Sequence, residues 1–195
     1  MKKSIGFLVY PVLFSLGFIA NATTVIPPKF DELVSRAQVI FDGEVTGLQS
    51  QWIGEGAHHR IVTFVTFKVN ESIKGDPGTT YSMRMLGGTV DGRTMRVTDA
   101  PEFKVGERRI LFVENNGSQF IPLVGIQHGS FRVERDQSGR DTLLTGGGQP
   151  LADVNQLGGD EAAIAKSKAA LSLNDFKTAI QSRVRQQAEA RAKIQ

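Results

Sequence analysis

The side chains in this sequence best suited to chemistry are its three histidines, a serine close to one of them, and a few paired carboxylates. His128 lies in Gly125-Ile126-Gln127-His128-Gly129-Ser130, two residues before Ser130. A serine hydrolase needs such an imidazole to touch the hydroxyl, with an acid orienting the ring. No glycine-flanked nucleophile elbow surrounds Ser130, and the local glycines read as a bulge or turn between strands. His58 and His59 are adjacent, so on a strand they point to opposite faces and do not readily share one ion. No carboxylate is spaced to complete a metal set with them, and they read as a solvated hairpin tip. Asp42 and Glu44 sit two residues apart, about 7 Å between Cα atoms along a strand. That separation is compatible with a glycosidase pair, but nothing beside it predicts a raised pKa. Glu102 with Glu107 is a second such pair. Charge on a solvated face explains both more simply. Asp99, Asp136 and Asp141 have turn neighbours and lack the ligand order of a calcium loop. Gly87-Gly88-Thr89-Val90-Asp91-Gly92 and Gly146-Gly147-Gly148 lack the lysine and hydroxyl of a P-loop and the dinucleotide pattern, and read as turns. This reading assigns no catalytic, cofactor-binding or metal-binding residue.

The start of the chain predicts where it works. Lys2 and Lys3 precede an apolar run over residues 5–19, and Ala20-Asn21-Ala22 places small residues where a signal peptidase reads. The run is about 15 residues long and interrupted by Pro11, short of the roughly 20 that a spanning helix needs. Residues 1–22 are therefore expected to be a Sec-type signal peptide cleaved after Ala22, with the product periplasmic or secreted. The chain has no cysteine. That excludes a lipid-modified thiol, disulfide cross-links, thiolate metal sites and cysteine nucleophiles. The formal charge is +3, and cleavage removes two lysines and no acid. A mature chain so near neutrality has no strong long-range pull on nucleic acid or anionic membrane.

The remaining residues must supply the elements that hold these groups. Phe30, Leu33 and Val34 form one apolar stripe and predict a short helix over 29–37. Alternation then predicts strands over 38–48, 61–69, 81–85, 93–97, 108–114, 119–124, 131–135 and 142–145. Turns fall between them at Gly54-Glu55-Gly56, Gly75-Asp76-Pro77-Gly78 and Asn115-Asn116-Gly117. Residues 23–145 are thus expected to fold as one mainly β domain, a small barrel or sandwich of short strands. Residues 146–159 are glycine-rich and read as a linker or an extended strap. Residues 160–195 form a C-terminal helical segment: one short helix over 160–171, then a second that Ser172 caps with Asp175. In the second helix Phe176, Ile180 and Val184 make a thin stripe, expected to dock on the β domain, with a membrane surface as the alternative.

Three blocks carry a resemblance. Residues 37–45 read A-x-V-I-F-x-G-x-V, residues 67–75 read F-x-V-x-x-x-I-K-G, and residues 105–113 read V-G-E-x-x-x-L-F-V. In this order they resemble the OB-like antiparallel β-barrel of netrin-like modules and tissue inhibitors of metalloproteinases, as also found in uncharacterised bacterial exported proteins. The resemblance covers roughly residues 30–133. It implies a barrel used for binding and, in the inhibitor family, a protease as partner. Those inhibitors present an N-terminal cysteine to the protease zinc. Here the expected mature terminus is Thr23-Thr24-Val25, so no zinc-contacting residue is carried over. The expected function is an exported non-enzymatic protein-binding module, with an extracellular metalloprotease as one partner class. The alternatives are a periplasmic hydrolase of peptides or cell-wall glycans, built on His128 or Asp42 with Glu44, and an envelope-associated structural protein.

Overall fold

The structure is a computed structural model and describes residues 27–159 and 170–193. The expected signal peptide lies outside the described residues, as does nearly all of the helix expected over 160–171. Leu171 itself is extended: its amide donates to the Leu151 carbonyl, and its own carbonyl accepts from Leu143.

The first element is α1 (Phe30–Arg36), whose Phe30, Leu33 and Val34 are all buried, as the stripe predicts. Its last carbonyls are held by a residue far along the chain. The Lys74 ammonium donates to the carbonyls of Val34, at 2.7 Å, and Ala37. A cation there also suits the negative end of the helix dipole.

Strands β1 (Val39–Ile53) and β2 (Arg60–Lys74) form a long hairpin, followed by β3 (Thr80–Leu86), β4 (Gly88–Val90), β5 (Arg93–Met95), β6 (Arg108–Val113), β7 (Ser130–Arg135) and β8 (Asp141–Leu144). Six of them make one antiparallel sheet in the order β3-β2-β1-β6-β7-β8, while β4 and β5 pair only with each other.

Strands β1 and β2 run 15 residues each, far longer than the short strands expected. Bulges make that length workable. Asp42 lies opposite Glu71 and Gly43 opposite Val69, which leaves Asn70 without a partner. An inserted residue reverses which side chains face which way. Val69 accordingly packs with Phe41 and Phe67 on one side of the sheet, and Ile73 with Ile40 on the other.

The sheet thus has two cores. On its helix face, Ile40, Ile110, Phe112, Phe131 and Leu143 pack against α1, Leu151 and α2 (Leu173–Ala192). On its loop face, Phe41, Val65, Phe67, Met83 and Leu111 pack against Phe103, Ile121 and Leu123 from connecting segments. Residues 146–159 belong to the helix-face core through the fully buried Leu151, and Asp153 caps a 3-10 turn over Val154–Gln156.

Two expectations need correction. The sheet is open, not a closed barrel, because other segments occupy the backbone groups along both of its edges. On β3, the Arg84 amide donates to the Asn116 side chain at 3.1 Å, Asn116 Nδ2 donates to the Ser82 carbonyl at 2.8 Å, and the Leu86 amide donates to Phe120 O at 2.7 Å. On β8, bridges to Pro150 and Ser172 do the same. Nor do residues 119–124 form a strand. Pro122 has no amide to donate, and the segment makes only a single bridge, from Leu123 to Val113. Its job is to span from β6 across to the edge of β3.

The C-terminal helix docks on the helix face. Ser172 Oγ accepts from the Asp175 amide at 3.1 Å, which sets the start of α2. Phe176 and Ile180 are fully buried, and the Phe176 ring centroid lies 4.9 Å from that of Phe131. Among the described residues no helix is long and apolar enough to cross a membrane. Phe176→Ala should cost about 3–5 kcal/mol of stability, the usual range for emptying an aromatic core site. Urea unfolding of the two proteins at matched m-value checks this.

Candidate functional site

The most deeply placed charge in the sheet is Asp42, with no solvent exposure. The alternation of β1 turns it to the helix face, below α2. Arg108, diagonal to it on β6 and directly opposite Glu44, holds it with two bonds: Nε to Oδ1 at 2.9 Å and Nη2 to Oδ2 at 2.6 Å. Lys177 of α2 pairs with Oδ2 from above. The charges continue outward, with Lys177 also 2.8 Å from Glu71 and Arg108 Nη1 2.8 Å from Asp141. The bulge at Asn70 is what turns Glu71 toward Lys177.

Asp42 is therefore not on a solvated face, as its alternation with apolar neighbours suggests. Glu44, two residues on, is exposed, so the two carboxylates do not share an environment. Burial pushes the Asp42 carboxyl up. The hydrogen bonds from Arg108 and Lys177 outweigh that and hold it below the usual carboxylate range. It stays ionised near neutrality and has no proton to give. A cleft of about 450 Å³, lined by Glu71, Arg140, Asp141, Asn174, Lys177 and Gln181, opens beside this network.

A second network lies on the loop face. The Arg109 guanidinium stacks on Phe103, 4.7 Å from the ring centroid. It donates to Glu107 Oε2 at 2.8 Å, to the Glu102 carbonyl at 2.7 Å and to Ser130 Oγ at 3.1 Å. For Glu107, burial raises the pKa, but the bond and charge of Arg109 carry it below the usual range. Ser130 is fully buried, and its hydroxyl answers to Arg109. His128 lies in a half-buried 3-10 turn over Ile126–Gly129. An inaccessible serine fixed by an arginine cannot attack a substrate.

The other sequence candidates serve local structure. His59 stacks on Trp52 at 4.2 Å between ring centroids. Asp136 accepts from the Ser138 hydroxyl at 2.6 Å and from the Arg140 amide at 2.9 Å, which closes the β7–β8 turn and holds the carboxyl down. Asp99 adopts a left-handed backbone, with φ of 59°, in the loop after β5. Among the described residues no group of three or more histidines and acids could hold a metal.

A second and larger cleft is one that the sequence reading missed. Strands β4 and β5 and residues 96–103 form an arm across one end of the loop face. Between arm and sheet lies a cleft of about 760 Å³. Its floor is Val65, Met85 and Phe103, its sheet wall carries Leu48, Ser50 and Thr63, and its arm wall runs from Thr89 to Pro101. The arm can come this close because Gly88, at φ of 132°, has no side chain to strike Ser50 and Thr63. The hydroxyls of Ser50 and Thr63 are 2.8 Å apart, and Thr63 donates to Gly87 O at 2.7 Å. The sequence does carry a trace of this cleft: residues 46–53, Thr-Gly-Leu-Gln-Ser-Gln-Trp-Ile, are uncharged although much of the segment is exposed. Comparison of the chain with protein-family models, with curated proteins and with solved structures finds no match.

Removing one partner from a buried charge cluster leaves the others uncompensated. Asp42→Asn should destabilise by about 3 kcal/mol at pH 7, the lower end for such a break because Arg108 is a third exposed. The native pKa of Asp42 is depressed. Its contribution is therefore present above about pH 4 and lost as pH falls through the native value. Urea unfolding at pH 7 and at pH 3 should show the gap between wild type and variant narrowing in acid.

Proposed function

We propose that this chain is an exported, non-enzymatic binding module that engages a partner protein through the cleft beneath the 88–103 arm. The observation that carries the reading is the contrast between this cleft and the reactive side chains. Asp42, Glu107 and Ser130 are each tied into arginine contacts and depressed or buried, the reverse of what catalysis asks of an acid, base or nucleophile. The cleft instead offers an apolar floor with a few hydroxyls and backbone groups on its walls, the make-up of a recognition site.

The export signal in residues 1–22 supports a periplasmic or secreted setting for that partner. The OB-like reading finds support in five antiparallel neighbours, β3-β2-β1-β6-β7, with β1 at their centre. OB modules are partly open barrels, and residues 116–124 bridge part of the gap from β6 to β3. On the netrin-like resemblance, a metalloprotease is the partner class to examine first.

The test is a photo-crosslinking residue at Thr98, on the arm wall of the cleft, in the full chain produced in its own cells. A discrete crosslinked protein is expected, and Leu48→Arg, which places a charge on the opposite wall, should abolish it. The partner so captured is then assayed for zinc-dependent peptidase activity with and without the chain. Crosslinks that survive Leu48→Arg unchanged, or that form only from the exposed end of α2, would contradict the proposal.

A further inference from the structure

The wall of the cleft is also a stretch of edge in the six-stranded sheet along which no backbone partner lies among the described residues. Strand β1 pairs with β6 only as far as Glu44 opposite Arg108. One more pair of bonds follows, from the Val45 amide to the Glu107 carbonyl and from the Gly106 amide to the Val45 carbonyl. At Gly106, with φ of 87°, the segment leading into β6 turns away, while β1 continues to Ile53 paired only with β2.

The direction of the backbone groups along this overhang follows from the register. The Ser50 and Thr63 side chains touch, the close spacing of a pair that exchanges no backbone bonds. Trp52 lies opposite Ile61, and the Ile61 carbonyl accepts from Gly87, on the side away from β1. The amides and carbonyls of Ser50 and Trp52, and by alternation those of Leu48, therefore point outward, along the line where β6 would continue. No partner among the described residues faces them. The two terminal edges of the sheet are treated differently, since β3 is plugged by Asn116 and Phe120 and β8 by Pro150 and Ser172. Nor does the overhang carry the charges or proline that guard an exposed strand.

We infer that the cleft takes an extended peptide segment of its partner as an added strand, bonded through the backbone of Leu48, Ser50 and Trp52. This rests on the binding role proposed above and names its recognition mode. The arm selects the occupant. Residues 96–103 stand across the cleft from Leu48 and Ser50, leaving a groove that suits a lone strand better than the edge of a second sheet. Alternate side chains of the peptide would stand on the cleft side beside Leu48 and Ser50, facing residues 96–103. The free edge itself sets no demand for charge.

The experiment uses random twelve-residue peptides displayed on phage, selected on the intact exported chain, with the enriched peptide then made synthetically. N-methylation of its amides one at a time should weaken binding roughly tenfold at alternate positions and leave the positions between unchanged. Leu48→Pro, which deletes an outward amide and spares the pairing with β2, should weaken the unmodified peptide similarly. Indifference to N-methylation at every position, with binding still lost in Leu48→Arg, would overturn strand addition and leave the cleft as the binding site. Peptides insensitive to Leu48→Arg as well, or no enrichment at all, would count against both. Peptide-independent dimerisation that Leu48→Pro abolishes would assign the edge to a second copy and refute the inference.

Discussion

A carboxylate sealed from water is unfavourable unless cations come to it, and Asp42 draws its two from distant parts of the chain. Arg108 comes from β6 and Lys177 from α2, with Asn70 and Glu71 of β2 completing the surroundings. Such a cluster is weak evidence for stability, since apolar packing of equal volume often does as well. Its value lies in position. The seating of α2 that brings Lys177 to Asp42 is the same one that carries Phe176 and Ile180 into the core. With the helices committed to one face, the other face is left to be covered by loops, and loops leave the cleft.

The two long strands are the other half of this logic. A strand with strict alternation keeps one set of side chains on one face. Strand β2 instead changes face at its bulges, so Val69 joins Phe67 in one core while Ile73 joins Ile40 in the other. Beyond the last of the three bulges, between Val45 and Gly47, β1 outlasts β6. The overhang begins where the segment before β6 turns away at Gly106.

Much of this was legible in the residues, and what was not has identifiable causes. The stripe of Phe30, Leu33 and Val34, the cap at Ser172, and the alternation of β1, β2, β3, β6, β7 and β8 are local signals, and each marks a real element. Barrel closure is not local. It depends on which segment reaches an edge first, and Asn116 and Phe120 take the edge of β3. Residues 119–124 carry strand-like composition, but the ring of Pro122 blocks a ladder bond. The burial of Asp42 was hidden because the residues that neutralise it lie 66 and 135 positions further along the chain, and alternation alone marks such a residue as solvated. The cleft escaped notice for a related reason: its chemistry lies in backbone groups and small hydroxyls, which no side-chain motif advertises.

The account turns on the outer side of β1 being unoccupied in the free protein. Amide hydrogen exchange followed by NMR reads that directly, residue by residue. The amides of Leu48, Ser50 and Trp52 should exchange freely while those of Gln49 and Gln51, directed at β2, are protected. Uniform protection from Leu48 to Trp52 would mean that the edge is already paired, and the recognition mode drawn from it would fall.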